Sequence, residues 1–505
     1  MTKSRFDNWA GLLVLGIIFL IPRAARVFHN EAWIEDPFYL YGPYLITEGF
    51  YPFRDFIHSQ FPGAEYMLAL FYALFGSSYH VAEAVTQILV YATTWLVFLI
   101  GKRLFGVPGG VGAAVVLSLS SLIFRYHVWQ REILILALLA GTYYSLLRTD
   151  PVRIRQFLLP AFLLSLAVAT KLTSVIYIAA TALFLIFSQR TIRGAVILSG
   201  MTCVFTLLVL SPFLFMEAFW EQTILLHLIK GTNYTSVLKA VRAPLRFLEF
   251  TLALGVVGLP FLRKKNFPAF WLPILLIIAE MLFLAFINPN VWAHQLIPVL
   301  LSLALCAGLL VHVVVDHLSQ KRVVIPMLCI VIVCLLMAFV IPVRNANSPE
   351  GSFFGFGYVA RRDIAELSEF VRANTTTEDI LLLPQYIASE ADRHNAVPHC
   401  LESFGLVSWL NTQREKKSIG ELLEFVGDKT RRDMDEATIV SGWTEMGFAR
   451  MLQEKQFKFI VNDIIPASIY VRNPQALLHF GYVRSRYFGP YVVWARSGEV
   501  PIDIK

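Results

Sequence analysis

The sequence predicts a polytopic α-helical membrane protein with about eleven crossings, interfacial helices in its first outer loop and a C-terminal α/β domain outside the membrane. Composition is the first reason: 56% of the 505 residues are hydrophobic and only 16% charged, an apolar share above that of soluble domains. The second is that apolar runs near the roughly 20 residues that cross a bilayer recur as far as residue 343. The third is an abrupt change after that point, where charged residues become frequent and helical patterns alternate with short strand patterns. A net charge of +7 raises nucleic acid as a partner. It is set aside because the basic residues form short clusters between apolar runs, as a topology signal does, and no single patch. Cys203, Cys306, Cys329 and Cys334 fall inside apolar runs and Cys400 stands alone in the polar tail, so neither a metal site nor a disulfide framework is indicated.

The first apolar run, residues 9–27, follows Lys3 and Arg5 and lacks a small-residue cleavage site, so it reads as a retained anchor starting in the cytoplasm. Lys102/Arg103, Arg148/Arg153/Arg155, Arg190/Arg193, Arg263/Lys264/Lys265 and Lys321/Arg322 mark further cytoplasmic positions, and each adjacent pair must enclose an even number of crossings. Spans are expected at 81–100, 195–214, 245–262, 267–287, 291–315 and 323–343. The stretch 107–147 divides in two at RYHVWQRE, residues 125–132. The run 157–188 is too long for one upright helix and is interrupted at Thr170-Lys171, which gives two short spans with Lys171 at their outer turn. Residues 62–75 are too few to cross and read as an interfacial or re-entrant helix.

Residues 1–344 are thus expected to form the transmembrane domain, with an outer loop at 28–80, and residues 345–505 a soluble domain on the outer face. In that tail RRDIAELSEFVRAN reads as a helix, DILLLP and FKFIVND as strands, and YVRSRY with YVVWAR, around Phe488-Gly489-Pro490, as a terminal hairpin. It carries no GxGxxG or P-loop, so nothing marks it as nucleotide-using.

This topology gathers charge on one side of the membrane. The first outer loop holds Glu35, Asp36, Asp55 and His58; the second Arg125, His127, Arg131 and Glu132; the third Lys171. His294 stands among polar residues of a later outward turn. Titratable groups in a lipid-embedded protein require a reason, and a pocket offering both a base and an anion clamp supplies one. Glu280, alone in PILLIIAEMLFLAF, is costly enough as a charge that it should face the bundle or be protonated.

Residues 33–76 are the densest in motifs: an acidic pair, then Y-L-Y, a Glu-Gly, YPFRDF, FPG and ALFG. With weaker echoes at Gln130-Arg131-Glu132, Thr170-Lys171 and residues 294–298, this order resembles the bacterial branch of the dolichyl-phosphate-mannose protein mannosyltransferase-like family. That family belongs to the integral-membrane C-type glycosyltransferases, which also include aminoarabinose transferases. The resemblance implies transfer of a sugar from a polyprenyl-phosphate donor to a lipid, polysaccharide or protein acceptor on the outer face of the cell membrane, usually with inversion. It also implies a first-loop acid as general base and basic residues holding the lipid phosphate. The usual order is Asp then Glu; here Glu35 precedes Asp36, and counting back from Tyr39 and Tyr41 puts Glu35 at the family's Asp position. Both are candidate bases, with Asp55, His58, Arg131, Glu132, Lys171 and His294 as substrate-binding candidates.

The chemistry is consistent with this. A phosphate leaving group needs a base for the incoming nucleophile and cations for the accumulating negative charge, and no nucleotide fold. One Glu-Asp pair is too few ligands to demand Mg²⁺ or Mn²⁺, so a divalent cation is allowed but not required. Plainer readings stand beside these. Asp36-Pro37 makes a good helix start, Arg54-Asp55 a local ion pair, Arg131-Glu132 an interfacial helix start, Lys171 a snorkelling lysine and His294 an interfacial polar residue. A transporter or flippase of lipid-linked sugars would also be apolar and multi-spanning, although the halves show no repeat. A non-enzymatic assembly protein of envelope polysaccharide synthesis is the third class.

Overall fold

The computed structural model describes residues 16, 31–33, 36–120, 129–148, 153–225, 249–262, 267–282, 293–321, 358–379, 381–383, 385–393, 399–400, 458–463, 476–479, 481–488 and 491–498. The expected span at 323–343, and that at 9–27 apart from Gly16, lie outside the described residues. Strand β1 (Glu31–Trp33) precedes helix α1 (Asp36–Thr47), strand β2 (Ile57–His58), helix α2 (Gly63–Phe75) and the long α3 (Tyr79–Ser118). Then come α4 (Arg131–Leu146), α5 (Leu158–Thr170), α6 (Val175–Gln189), α7 (Ile192–Leu214), the short α8 (Glu217–Trp220), α9 (Glu249–Leu262), α10 (Phe267–Leu282) and α11 (Leu300–Lys321). The tail holds β3 (Tyr358–Ala360), α12 (Arg361–Asn374), β4 (Leu381–Leu382), α13 (Gln385–Glu390), β5 (His399–Cys400), β6 (Phe459–Asp463), α14 (Ala476–His479), β7 (Tyr482–Phe488) and β8 (Tyr491–Arg496).

Two compact units emerge. One comprises residues 1–29, 83–212 and 233–351; the other 30–82, 213–232 and 352–505. Among the described residues, three helices are long and apolar enough to cross a membrane: Tyr79–Ser118, Leu172–Gln189 and Ile192–Leu214. Five shorter apolar helices join them, among them Gly63–Phe75, the stretch expected not to cross.

In the helical unit the span expected at 81–100 is only the first limb of α3. Gly106 breaks the helix at φ 83°, ψ 179°, a conformation open to glycine alone, and Pro108 follows at the start of the second limb. The limbs fold back on each other, with Phe98 packed among Ala114, Val115 and Leu119. A Cβ on Gly101 would lie 2.9 Å from the Gly110 Cα, so small residues let the backbones touch, as in other membrane helix pairs. The same device joins α9 to α11, where a Cβ on Gly258 would meet the Cys306 carbonyl oxygen at 2.1 Å. Helices α4 and α5, α6 and α10, and α10 and α11 also pack together.

In the second unit the tail forms a four-stranded sheet in the order β4-β6-β8-β7. β4 and β6 are parallel, while β6-β8 and β7-β8 are antiparallel, the last with a register shift between Arg484 and Arg486. Helix α12 covers the sheet through Phe370, which stacks on Phe459 at 5.7 Å and lies 5.3 Å from Phe488. The helix, the FKFIVND strand and the terminal hairpin thus stand where the sequence places them. The first loop is part of the same unit. β1 pairs antiparallel with β3 and β2 parallel with β5, and the Tyr44 hydroxyl donates to Asp392 Oδ1 at 3.1 Å.

Candidate active site

Within the helical unit, five helix ends supply one polar cluster. Helix α4 begins at Arg131 because Gln130 is extended (φ −134°, ψ 134°). Glu132 therefore falls in the first turn, where a carboxylate suits the positive helix end. Helix α5 stops at Thr170 because Lys171 is extended (φ −156°, ψ 124°), and a 3₁₀ turn, Leu172–Ser174, leads into α6. Lys171 Nζ donates to Glu132 Oε1 at 2.6 Å, with 13% of the lysine and 4% of the glutamate side chain exposed. His294, in the 3₁₀ turn Ala293–Leu296 before α11, is buried with Nε2 3.9 Å from the same oxygen. Glu280, near the end of α10, is 1% exposed. Arg131 is buried at the head of α4. The cluster borders a small pocket whose walls include Glu132, Lys171, Ser174, Tyr177, Glu280 and Gln295.

Helices α4, α6 and α11 begin at this cluster and finish beside Arg148, Arg190 and Lys321. The polar groups therefore share one end of these helices and the basic clusters the other. Lys171 does not snorkel. It is held by a buried carboxylate, and a buried pair with short geometry recovers part of the large desolvation cost of both ions. His294 is likewise a buried member of the cluster.

The first loop, in the other unit, is built differently. Glu35 lies outside the described residues; Asp36 is the first residue of α1, next to Pro37. Asp55 accepts two hydrogen bonds from the Arg54 guanidinium, at 2.9 and 2.8 Å, and one from the Tyr51 N–H at 2.7 Å. The guanidinium first, and then that N–H, hold its carboxyl below the usual carboxylate range, which makes it a poor proton acceptor. The local ion pair is the reading that the geometry favours for Arg54-Asp55. His58, expected to bind substrate, has no exposed surface. Its ring stands 5.8 Å from Phe53 and 6.1 Å from Phe56. Nε2 lies 3.4 Å from Glu65 Oε2, and the His58 N–H donates to Gln222 Oε1 at 2.8 Å. As arranged, that ring shapes the loop and offers no face to a ligand.

Glu65, Gln222, Ser174 and the cluster role of Glu280 were not anticipated from sequence. For Glu65 the available signal was a carboxylate in the first turn of an apolar helix, three residues after Pro62; for Gln222 there was none. Arg125 and His127 lie outside the described residues. Among the described residues no group of three or more His, Cys, Asp or Glu side chains could hold a metal ion.

Residues 58–216, which include Glu132 and Lys171, match the family model of dolichyl-phosphate-mannose-protein mannosyltransferases. That segment is similar to the mannosyltransferase family. The chain as a whole is similar in fold to ArnT from Cupriavidus metallidurans bound to undecaprenyl phosphate, which aligns with a TM-score of 0.59 at 11% identity, over 99% of this chain and 100% of that one. The apo form of the same enzyme gives 0.61 at 12% identity over the same shares. The oligosaccharyltransferase AglB of Archaeoglobus fulgidus, in complex with an inhibitory peptide and a dolichol-phosphate, gives 0.53 at 14% identity over 100% of this chain and 76% of that one. At such identities the likeness is one of fold. No curated protein sequence matches. The chain is thus apolar and, among the described residues, largely helical, with a fold similar to those of ArnT and AglB and a segment similar to the mannosyltransferase family.

Proposed function

We propose that this protein moves a sugar from a polyprenyl-phosphate donor to an acceptor hydroxyl on the outer face of the cell membrane, with inversion. The observation that carries the reading is the buried Lys171–Glu132 pair at a pocket in the mannosyltransferase-like segment. In the reaction a first-loop carboxylate, Glu35 or Asp36, removes the acceptor proton as its oxygen bonds to the anomeric carbon. The bond from that carbon to the phosphate oxygen breaks, and the polyprenyl phosphate departs with the electron pair. Lys171 balances the charge that accumulates on the phosphate, and Glu132 fixes the direction of its ammonium. Arg131 adds a second cation, while a lipid, polysaccharide or protein supplies the hydroxyl.

The test is reconstitution of the purified chain with radiolabelled polyprenyl-phosphate sugars and a membrane-extract acceptor fraction. Label appearing on an acceptor supports transfer; donor crossing the bilayer with its sugar still attached would replace this reading by the transporter one.

The reading also has a sidedness. The N-terminus and the basic clusters belong in the cytoplasm, and residues 345–505 belong outside. Single cysteines engineered in the tail are expected to react with an impermeant maleimide on intact cells. Reaction only after permeabilisation would reverse this orientation.

A further inference from the structure

Glu280 has no part in the scheme above, yet it is the least accommodated group of the pocket. Both of its carboxyl oxygens are buried without a hydrogen-bond partner among the described residues, and so are Glu132 Oε2 and Ser174 Oγ. All three residues line the pocket beside Lys171. A carboxyl group buried this deeply in a membrane bundle is costly and marks a function by default.

The chemistry of the wall says what it would receive. Lys171 is the cation of this wall and Glu132 directs it, whereas both oxygens of Glu280 lack a hydrogen-bond partner among the described residues, so the phosphate belongs with Lys171 and a different group with Glu280. The unpartnered atoms are carboxylate oxygens, which accept hydrogen bonds and donate none when ionised, together with a hydroxyl that does either. Their complement is a ligand rich in O–H or N–H donors.

We infer that Glu280 is a specificity-determining residue which accepts hydrogen bonds from the hydroxyl or amino groups of the transferred sugar, while Lys171 keeps the phosphate end. This rests on the glycosyltransferase reading and deepens it by dividing the pocket into a sugar side and a phosphate side. A neutral sugar and an amino sugar share the donor chemistry. They differ in charge, so the experiment carries both.

The full chain in nanodiscs is titrated with undecaprenyl phosphate and with undecaprenyl phosphate carrying either a hexose or an aminopentose. The variants Glu280→Gln and Glu280→Leu are compared with the wild type. Sugar-free carrier should bind both variants within about twofold of wild type. The sugar-bearing carrier that the wild type prefers should bind Glu280→Gln roughly 10-fold or more weakly, the size expected of a buried hydrogen-bonding group left unsatisfied. A drop confined to the aminopentose identifies an ammonium as the recognised group, and one for the hexose identifies hydroxyls. Glu280→Leu should retain the wild-type melting temperature or exceed it, because a buried carboxyl that serves a ligand contributes no stability when the pocket is empty. Equal weakening of all three carriers, or wild-type affinity of Glu280→Gln for every sugar-bearing carrier, overturns the assignment. A wild-type protein that binds none of the carriers overturns the glycosyltransferase reading as well, and so marks that separate failure.

Discussion

Replacing the first-loop base is expected to lower turnover by about 10² to 10⁴ with little change in yield or melting temperature. Adjacent residues at a helix start point in different directions, so at most one of Glu35 and Asp36 can face an acceptor, leaving the other to cap the helix or align a cation. The substitutions Glu35→Gln and Asp36→Asn keep shape and remove basicity, and asparagine is itself a good helix cap. A capping role for Asp36 therefore predicts an Asp36→Asn enzyme that is stable and active, and a base role one that is stable and inactive. Asp36 opens α1 beside Pro37, which holds it more rigidly, whereas the family spacing favours Glu35. Steady-state transfer rates of the two variants decide between them. Near wild-type rates for both would remove the pair from the mechanism. Asp55 is then a weak successor, because its guanidinium partner and the Tyr51 N–H keep it ionised. Its lowered pKa contributes stability above the usual carboxylate range, and that contribution is lost as pH falls through the folded value.

The second large effect is on stability. Glu132→Ala leaves the Lys171 ammonium buried without its 2.6 Å acceptor, and breaking a buried pair from one side costs about 3–5 kcal/mol. The variant should melt well below the wild type in detergent. Replacing both partners, Glu132→Leu with Lys171→Met, should recover most of that loss while leaving transfer abolished, because the strain comes from the orphaned charge and the chemistry from the cation. Glu132→Ala melting with the wild type would show that the pair is not buried as described.

Much of this fold was legible. A lysine breaking a long apolar run at residue 171 announced a helix break, since a charge there belongs at an end, and α5 and α6 meet at that point. The terminal hairpin was legible from alternation and a Gly-Pro turn. What escaped were partners distant in sequence. Glu132 and Lys171 are 39 residues apart, and no local pattern pairs them; each alone read equally well as an interfacial residue. His58 was visible as a polar residue in an aromatic loop, but the acceptor of its backbone N–H, Gln222, lies 164 residues on. The joining of β1 to β3 and β2 to β5 rests on two- and three-residue strands too short to carry a period. Glu280 was recognisable as costly, while the pocket it lines is assembled from four separate segments, 132–135, 171–177, 280 and 295–298.

The claim on which the account turns is that Lys171 contacts the phosphate of the carrier. Donor saturation kinetics of Lys171→Ala and Lys171→Arg in proteoliposomes test it most directly, with undecaprenyl-phosphate sugar as the varied substrate and circular dichroism as the folding control. The account predicts a donor KM raised at least 10-fold, or transfer abolished, in the alanine variant. It predicts partial activity in the arginine variant, which keeps the charge but not its geometry. A folded Lys171→Ala enzyme with the wild-type donor KM and kcat would contradict it.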